Sequence, residues 1–272
     1  MPSMPVKALS PRFYFSLAIL AIWLLVVIFE PLLPLDANHI QLDKILQSPS
    51  WTNFLGFDDL GRPIFDRLIS GARVSFAVAF GVALISLLVG TLIGTLSAYL
   101  GGGWDHMTVR IIDVFMAFPG ILLAIALSGL MGPGISNVII ALSIVSWVGY
   151  ARLSRAQVLA IKQREHVQAA IALGAKHHAI LFKHILPLIV SPLIIEFTFG
   201  IAGLVIAEAG LSFLGLGIQA PDSSWGSMIK DGSQYLLMAP HMVIFPGLAL
   251  MLVVLSVNLL GDSIRDYLDV KS

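Results

Sequence analysis

A chain of 272 residues with 57% hydrophobic and only 12% charged side chains lacks the polar surface a soluble domain of this length needs, so lipid is the solvent for most of it. Sixteen Lys and Arg offset sixteen Asp and Glu, leaving no overall field that argues for a nucleic-acid partner, and none is expected. The lack of Cys excludes a disulfide framework, thiol catalysis and a Cys-based metal site, while leaving the compartment open.

The first apolar block covers 13–29 and ends at Glu30 and the break from Pro31 to Pro34. Lys7 and Arg12 precede it, as in a signal peptide, yet the block is long for a signal core and has no small-residue cleavage site. It reads as a retained transmembrane helix over 13–33, behind a tail at 1–12. An outer connection follows over 34–70, where Pro49, Gly56, Gly61 and Pro63 mark irregular surface with a short amphipathic piece near 64–69. Five further blocks lie at 74–100, 111–131, 135–150, 188–211 and 242–260, which makes six spans. Their unbroken apolarity specifies helices, because lipid leaves backbone groups no water to bond and a membrane barrel would alternate.

The distribution of charge orients these spans. With the N-terminus inside, Lys7, Arg12, Arg110, Arg152, Arg155, Lys162, Arg164, Lys176, Lys183, Arg265 and Lys271 fall inside, against Lys44, Arg62, Arg67, Arg73 and Lys230 outside. Eleven against five places both termini in the cytoplasm, with an inner loop at 151–187 and a solvated tail at 262–272.

The inner loop reads REHVQAAIALGAKHHAILFKHILP. Val167, Ala170, Ile171 and Gly174 recur at helical spacing, giving one small, apolar face on which Ala170 and Gly174 leave a notch. Gly174 also fits the left-handed stop of that helix, after which 179–185 forms a second piece ending at Pro187. The pattern alone also suits an ordinary helix in a solvated basic loop.

This loop resembles the Glu-Ala-Ala signature of bacterial ABC importer permeases, in which Gly follows the second Ala by four residues and Leu-Pro comes about a dozen later. The matching positions are Ala169, Ala170, Gly174, Leu186 and Pro187; Gln168 stands where the signature has Glu, and His184 where it usually has Ile. Glu165 matches a second acidic position typical of the dipeptide/oligopeptide/nickel subfamily. The segments FLGFDDLGRPIFDRLISGARVSF, DVFMAFPGILLAI, EAGLSFLGLGIQAP, SWGSMI, FPGLAL and NLLGDSIRDYLD are similar to subfamily segments in the same order, from 53 to 269. By this resemblance the chain is identified as a C-type permease of that subfamily.

The resemblance implies an all-α membrane protein of the type I ABC importer permease fold, with its transmembrane domain over 71–261, in the bacterial inner membrane. It implies a homologous second permease, two cytoplasmic ATPase subunits and a periplasmic or lipid-anchored solute-binding protein as partners, besides membrane lipid. Glu165, Val167, Gln168, Ala169, Ala170, Gly174, Ala175, Leu186 and Pro187 would then couple the chain to an ATPase. The sequence contains no Gly-x-x-x-x-Gly-Lys-Ser/Thr phosphate loop. The chain is accordingly expected to be no enzyme and to bind no cofactor, with ATP and Mg used by partners. Peptides, nickel complexes and related small solutes all remain open as cargo.

Within the spans, Glu208 either lines the pathway, pins two permeases together, or sits hydrated at the outer end of the fifth span. Glu196 reads as interfacial or as part of a helix-packing hydrogen bond. Pro119-Gly120 and Pro246-Gly247 interrupt the third and sixth spans, serving packing or a pathway. Gly90 and Gly94 form a small-residue stripe for close helix packing, within the chain or across the dimer. His177, His178 and His184 face away from incoming solute and two of them are adjacent, so no metal site is expected. Asp222, Trp225 and Lys230 read as a contact for the delivery protein or as a water-facing loop with an interfacial Trp. A secondary transporter or channel would need coupling carboxylates or a filter, and an intramembrane enzyme a paired nucleophile and base. For the first only Glu208 offers itself and the inner loop would go unexplained; the second pattern is not visible.

Overall fold

The computed structural model describes residues 11–269; Lys7, Lys271 and most of the N-terminal tail, on which the orientation argument also draws, lie outside the described residues. Those described are mainly helical, and their one extended pairing is a single bridge between Phe57 and Pro63. In chain order the helices are α1 (Pro11–Phe29), α2 (Ile64–Leu100), α3 (Gly102–Met116), α4 (Gly120–Met131), α5 (Ile135–Lys162), α6 (Glu165–Ala172), α7 (His177–Ala179), α8 (Leu186–Phe213), α9 (Trp225–Ser233) and α10 (His241–Asp269). A π turn, Ile180–Ile185, joins α7 to α8, so that the run His177–Phe213 is continuous. Five runs are long and apolar enough to cross a membrane, and a sixth crossing arises if α3 and α4, bent by 83°, count as one.

Several boundaries differ from the sequence reading. α2 begins at Ile64 rather than near 74, so the amphipathic piece is its first two turns and the preceding connection is shorter. α3 begins at Gly102 rather than 111, because Asp105 and Arg110 lower the apolarity without breaking the helix. α5 continues to Lys162, which leaves Arg152 and Arg155 on a helix rather than in a loop. Pro119 does mark an interruption: it is the N-cap of α4, at the bend that follows α3. Pro246 does not interrupt its span; α10 continues through it, losing only the bond its missing N–H would have made one turn back. Nor does Pro187 end a piece, since the wider π turn before it leaves room for the ring that a regular turn would crowd.

The chain divides into two compact units, Met1–Ser75 with Ala220–Ser272, and Phe76–Gln219. In the first, α10 packs on both α1 and α9. Two indoles satisfy their N–H groups on α2 carbonyls: Trp23 donates to Ala72 O at 3.2 Å and Trp225 to Leu68 O at 3.0 Å, with ring centroids 5.9 Å apart. Trp225 is therefore buried, not an interfacial anchor or a free contact. Ser224 and Ser227 cap α9 reciprocally. Glu30 accepts from Ser70 Oγ and Arg73 Nη1, both at 3.0 Å.

In the second unit the small-residue stripe packs within the chain. A Cβ at Gly90 would strike Trp147 O and Tyr150, and one at Gly94 would strike Ala151 O and Ser154 Oγ, so α2 and α5 meet backbone to backbone. Ser154 Oγ donates to Gly90 O across this seam at 3.4 Å. A buried cluster that includes Ala98, Val158, Ile161, Ile180, Ile185 and Ile189 continues from the seam towards α6.

Candidate functional site

The connection around α6 is built outward from the end of α5. Lys162 in the last turn of α5 donates to Tyr99 O at 2.9 Å and lies over the Tyr99 ring, 5.5 Å from its centroid. Tyr99 Oη and His177 Nδ1 are 2.8 Å apart, so one tyrosine ties the start of the connection to its far end. Gln168 Nε2 donates to Lys162 O at 2.8 Å, filling a carbonyl that the end of α5 leaves open. A glutamate, which the signature has there, is acceptor-only when ionised and would not replace that donor. Glu165 lies in the first turn of α6, where a carboxylate suits the positive end of the helix.

Val167 is 0% exposed and joins Ile161, Ile180 and Ile185 in the buried cluster. The face predicted to be free is thus partly used: Val167 points inward, and Ala170 and Ala175 are half-buried. What faces outward is Gln168, Ala169, Ile171, Ala172, Leu173 and Gly174, with Leu173 88% exposed. Sequence reasoning missed Leu173 and Tyr99. The signal for Leu173 was an apolar residue immediately before a helix-ending glycine; for Tyr99 there was none, because its partners lie 63 and 78 residues away.

α6 ends on a left-handed glycine. Gly174 has φ +77°, its N–H bonds Ile171 O, and Ala175 N–H bonds Ala170 O, both closing the carbonyls that a helix end leaves open. No heavy atom lies within 4 Å of where a Gly174 Cβ would stand. Leu186 is half-buried beyond the π turn and Pro187 is exposed. His166 and His184 bring their ring centroids to 6.3 Å.

Asp105 of α3 accepts Arg155 Nε and Nη2, each at 2.7 Å, and Ser97 Oγ at 3.4 Å. This fork-to-fork pair binds α3 to α5 close to the Tyr99 junction.

Glu208 is fully buried, so a merely hydrated carboxylate is excluded. Ser212 Oγ donates to its Oε1 at 2.7 Å and in turn accepts from Ile218 N–H at 3.2 Å. Glu196 is exposed and lines a cavity among α4, α5 and α8.

In the first unit a charged cluster ties the connection before α2 to the helix itself. Asp58 takes Arg62 Nε at 2.7 Å and Arg67 Nε at 3.4 Å, while Arg62 reaches Asp59 at 3.7 Å and Arg67 reaches Asp231 at 3.9 Å. Burial raises the carboxyl of Asp59, helped by the charge of Asp58. Burial likewise raises Asp231, with Arg67 opposing it.

A family model described as binding-protein-dependent transport system inner membrane component matches residues 90–271. The chain belongs to this family. Relatives of the permease include the glutathione transport system permease protein GsiD of Escherichia coli O1:K1 / APEC, 45% identical over 239 residues, which are 88% of this chain and 79% of that protein. The protein of the same name from Pectobacterium atrosepticum is 43% identical over 241 residues, 88% and 80% of the two chains. Among solved structures, inward-facing MetNI methionine ABC transporter contains a chain of similar fold, with a TM-score of 0.62 at 19% identity, covering 75% of the permease and 98% of that chain. The permease is therefore a multi-pass protein of the bacterial inner membrane and an ABC importer subunit. Its relatives are transport permeases rather than enzymes.

Proposed function

We propose that the permease forms, with a homologous second permease, the translocation path for short, peptide-like solutes, and that two ATPase subunits drive it through α6. In this reading it crosses the membrane six times, α3 and α4 making one bent span, with both termini and α6 in the cytoplasm. The exposed end of α6 carries the reading: Val167 anchors the helix in the core of its own unit while Ala169, Ala172 and Leu173 offer a small apolar surface to a partner. Isolated surface apolars are ordinary, but here one stands on a helix end fixed by Gln168, Tyr99 and the Gly174 stop. The names of the glutathione permeases favour peptide-like cargo over nickel complexes. ATP and Mg belong to the partner subunits, and a solute-binding protein delivers the cargo.

The test is uptake by vesicles holding the complete transporter, supplied with its solute-binding protein and ATP. Labelled glutathione and short peptides are expected to accumulate only with ATP on the α6 side. ATP-dependent accumulation of nickel with no peptide uptake would overturn the assignment of cargo.

A further inference from the structure

The second unit contains a cavity of about 330 Å³, open on one side and bounded by the start of α4, by α5 and by α8. Gly120, Gly200 and Gly203 give it backbone walls, and a Cβ on Gly203 would meet nothing within 4 Å. Most of the remaining wall is apolar. The polar side chains are Ser146, Tyr150 and Glu196.

Glu196 lies ten residues into α8, about 15 Å from the start of that helix at 1.5 Å per residue, far from both ends of the span. Among the described residues no hydrogen bond or ion pair reaches its carboxylate, and Oε1 stands 3.5 Å from where a Cβ on Gly149 would be. Among the cations of α5, Arg155 is held by Asp105 and Lys162 by Tyr99 O, and Arg152 Nη1 lies 3.6 Å from Met116 Sδ. Tyr150 on the same wall is 3% exposed, and its hydroxyl, packed beside Gly200, has no partner. An intramembrane carboxylate without a cation is costly and marks a pathway or a ligand. What this cavity lacks is a positive hydrogen-bond donor.

We propose that the cavity is a solute subsite in which Glu196 receives a protonated amine of the transported molecule, with Tyr150 positioned beside it to accept or donate one further bond. The ligand class is a small solute with a primary ammonium, such as the amino end of a short peptide, and the proposal rests on the peptide-like reading above. A volume at the low end of small-molecule pockets holds that end of the peptide rather than all of it.

Because the sequence has no Cys, one cysteine reports on this cavity alone within the chain. Gly203→Cys has space for its side chain and is introduced in the complete transporter, then labelled with a maleimide in membranes. S-Methylglutathione, which has no free thiol, is expected to slow labelling about threefold at twice its Kd. Its N-acetylated form is expected to give no protection, and Glu196→Gln in the same background to abolish protection by the free amine while Glu196→Asp restores part of it. Equal protection by both forms, or protection that survives Glu196→Gln, overturns the subsite. So does a lack of protection by either form in vesicles that import glutathione. If the wild-type transporter imports neither glutathione nor short peptides, the peptide-like reading fails first and the subsite falls with it.

Discussion

At the scale of single residues, Gly174 separates backbone requirement from partner approach. Its left-handed φ makes any L side chain strained, by roughly 1–2 kcal/mol, yet the space around its Cβ position is empty within this chain. Gly174→Ala and Gly174→Leu should therefore lower the stability of the isolated permease by similar amounts. A further loss of ATPase co-purification with Leu alone reports a surface that only the complex supplies; equal co-purification by both variants would remove the docking role of this position. Leu173 gives the complementary test, since Leu173→Glu alters an exposed side chain and should change stability by less than about 0.5 kcal/mol while releasing the ATPase. Inside the span, Glu208→Leu leaves Ser212 without its buried acceptor, at a cost of about 1–3 kcal/mol, whereas Glu208→Gln keeps one. Thermal stability of the purified permease should rank wild type, then Gln, then Leu; a Leu variant as stable as wild type would mean that the hydroxyl finds another partner.

At the scale of elements, the long apolar helices were legible because length and hydrophobicity suffice to specify a span, and α1, α5, α8 and α10 start or end near their apolar blocks. The starts of α2 and α3 were not, because Asp66, Arg67, Asp105 and Arg110 read as solvated loop until their partners are known. Asp105 is held by Arg155, and Arg67 by Asp58, so polarity there marks pairing rather than a boundary. The Glu-Ala-Ala resemblance located α6, but periodicity identifies a face without saying which side of it is already occupied, so Val167 was placed outward when it anchors the helix. The polar pair of Glu196 and Tyr150 was hidden for the same reason: 46 residues separate them, and only packing brings both to one cavity. The α3–α5 pair makes its own prediction. Asp105→Asn removes the charge from a forked bond and should cost about 1–2 kcal/mol after allowance for partial exposure. Faster proteolysis near 101–117 than in wild type is the expected readout, and unchanged cleavage would show that the helices hold without the pair.

For the whole molecule, the charge asymmetry and the six-span reading meet in one measurement: an exported-phosphatase fusion after Lys176 should be inactive and one within 34–60 active. The reverse would take α6 away from any cytoplasmic ATPase. Response to acid should also be uneven along the chain. The carboxyl of Asp231 is raised in the folded state, so it adds stability below its ordinary value of 3.8 and that contribution is lost as pH rises through the folded value. Asp231→Asn should therefore flatten the fall in thermal stability on going from about pH 4 to pH 7; an unchanged slope would assign the fall to other groups. Finally, the π turn at Ile180–Ile185 holds, in effect, one residue more than a regular helix of the same rise. Rewinding the same six residues as regular α would turn everything before them by about 100° relative to α8, whereas deleting one of them would leave the phase nearly unchanged. The permease thus stores an angular offset in six residues, and the compass bearing at which α6 meets its surroundings is set by helical phase as much as by any side chain on its surface.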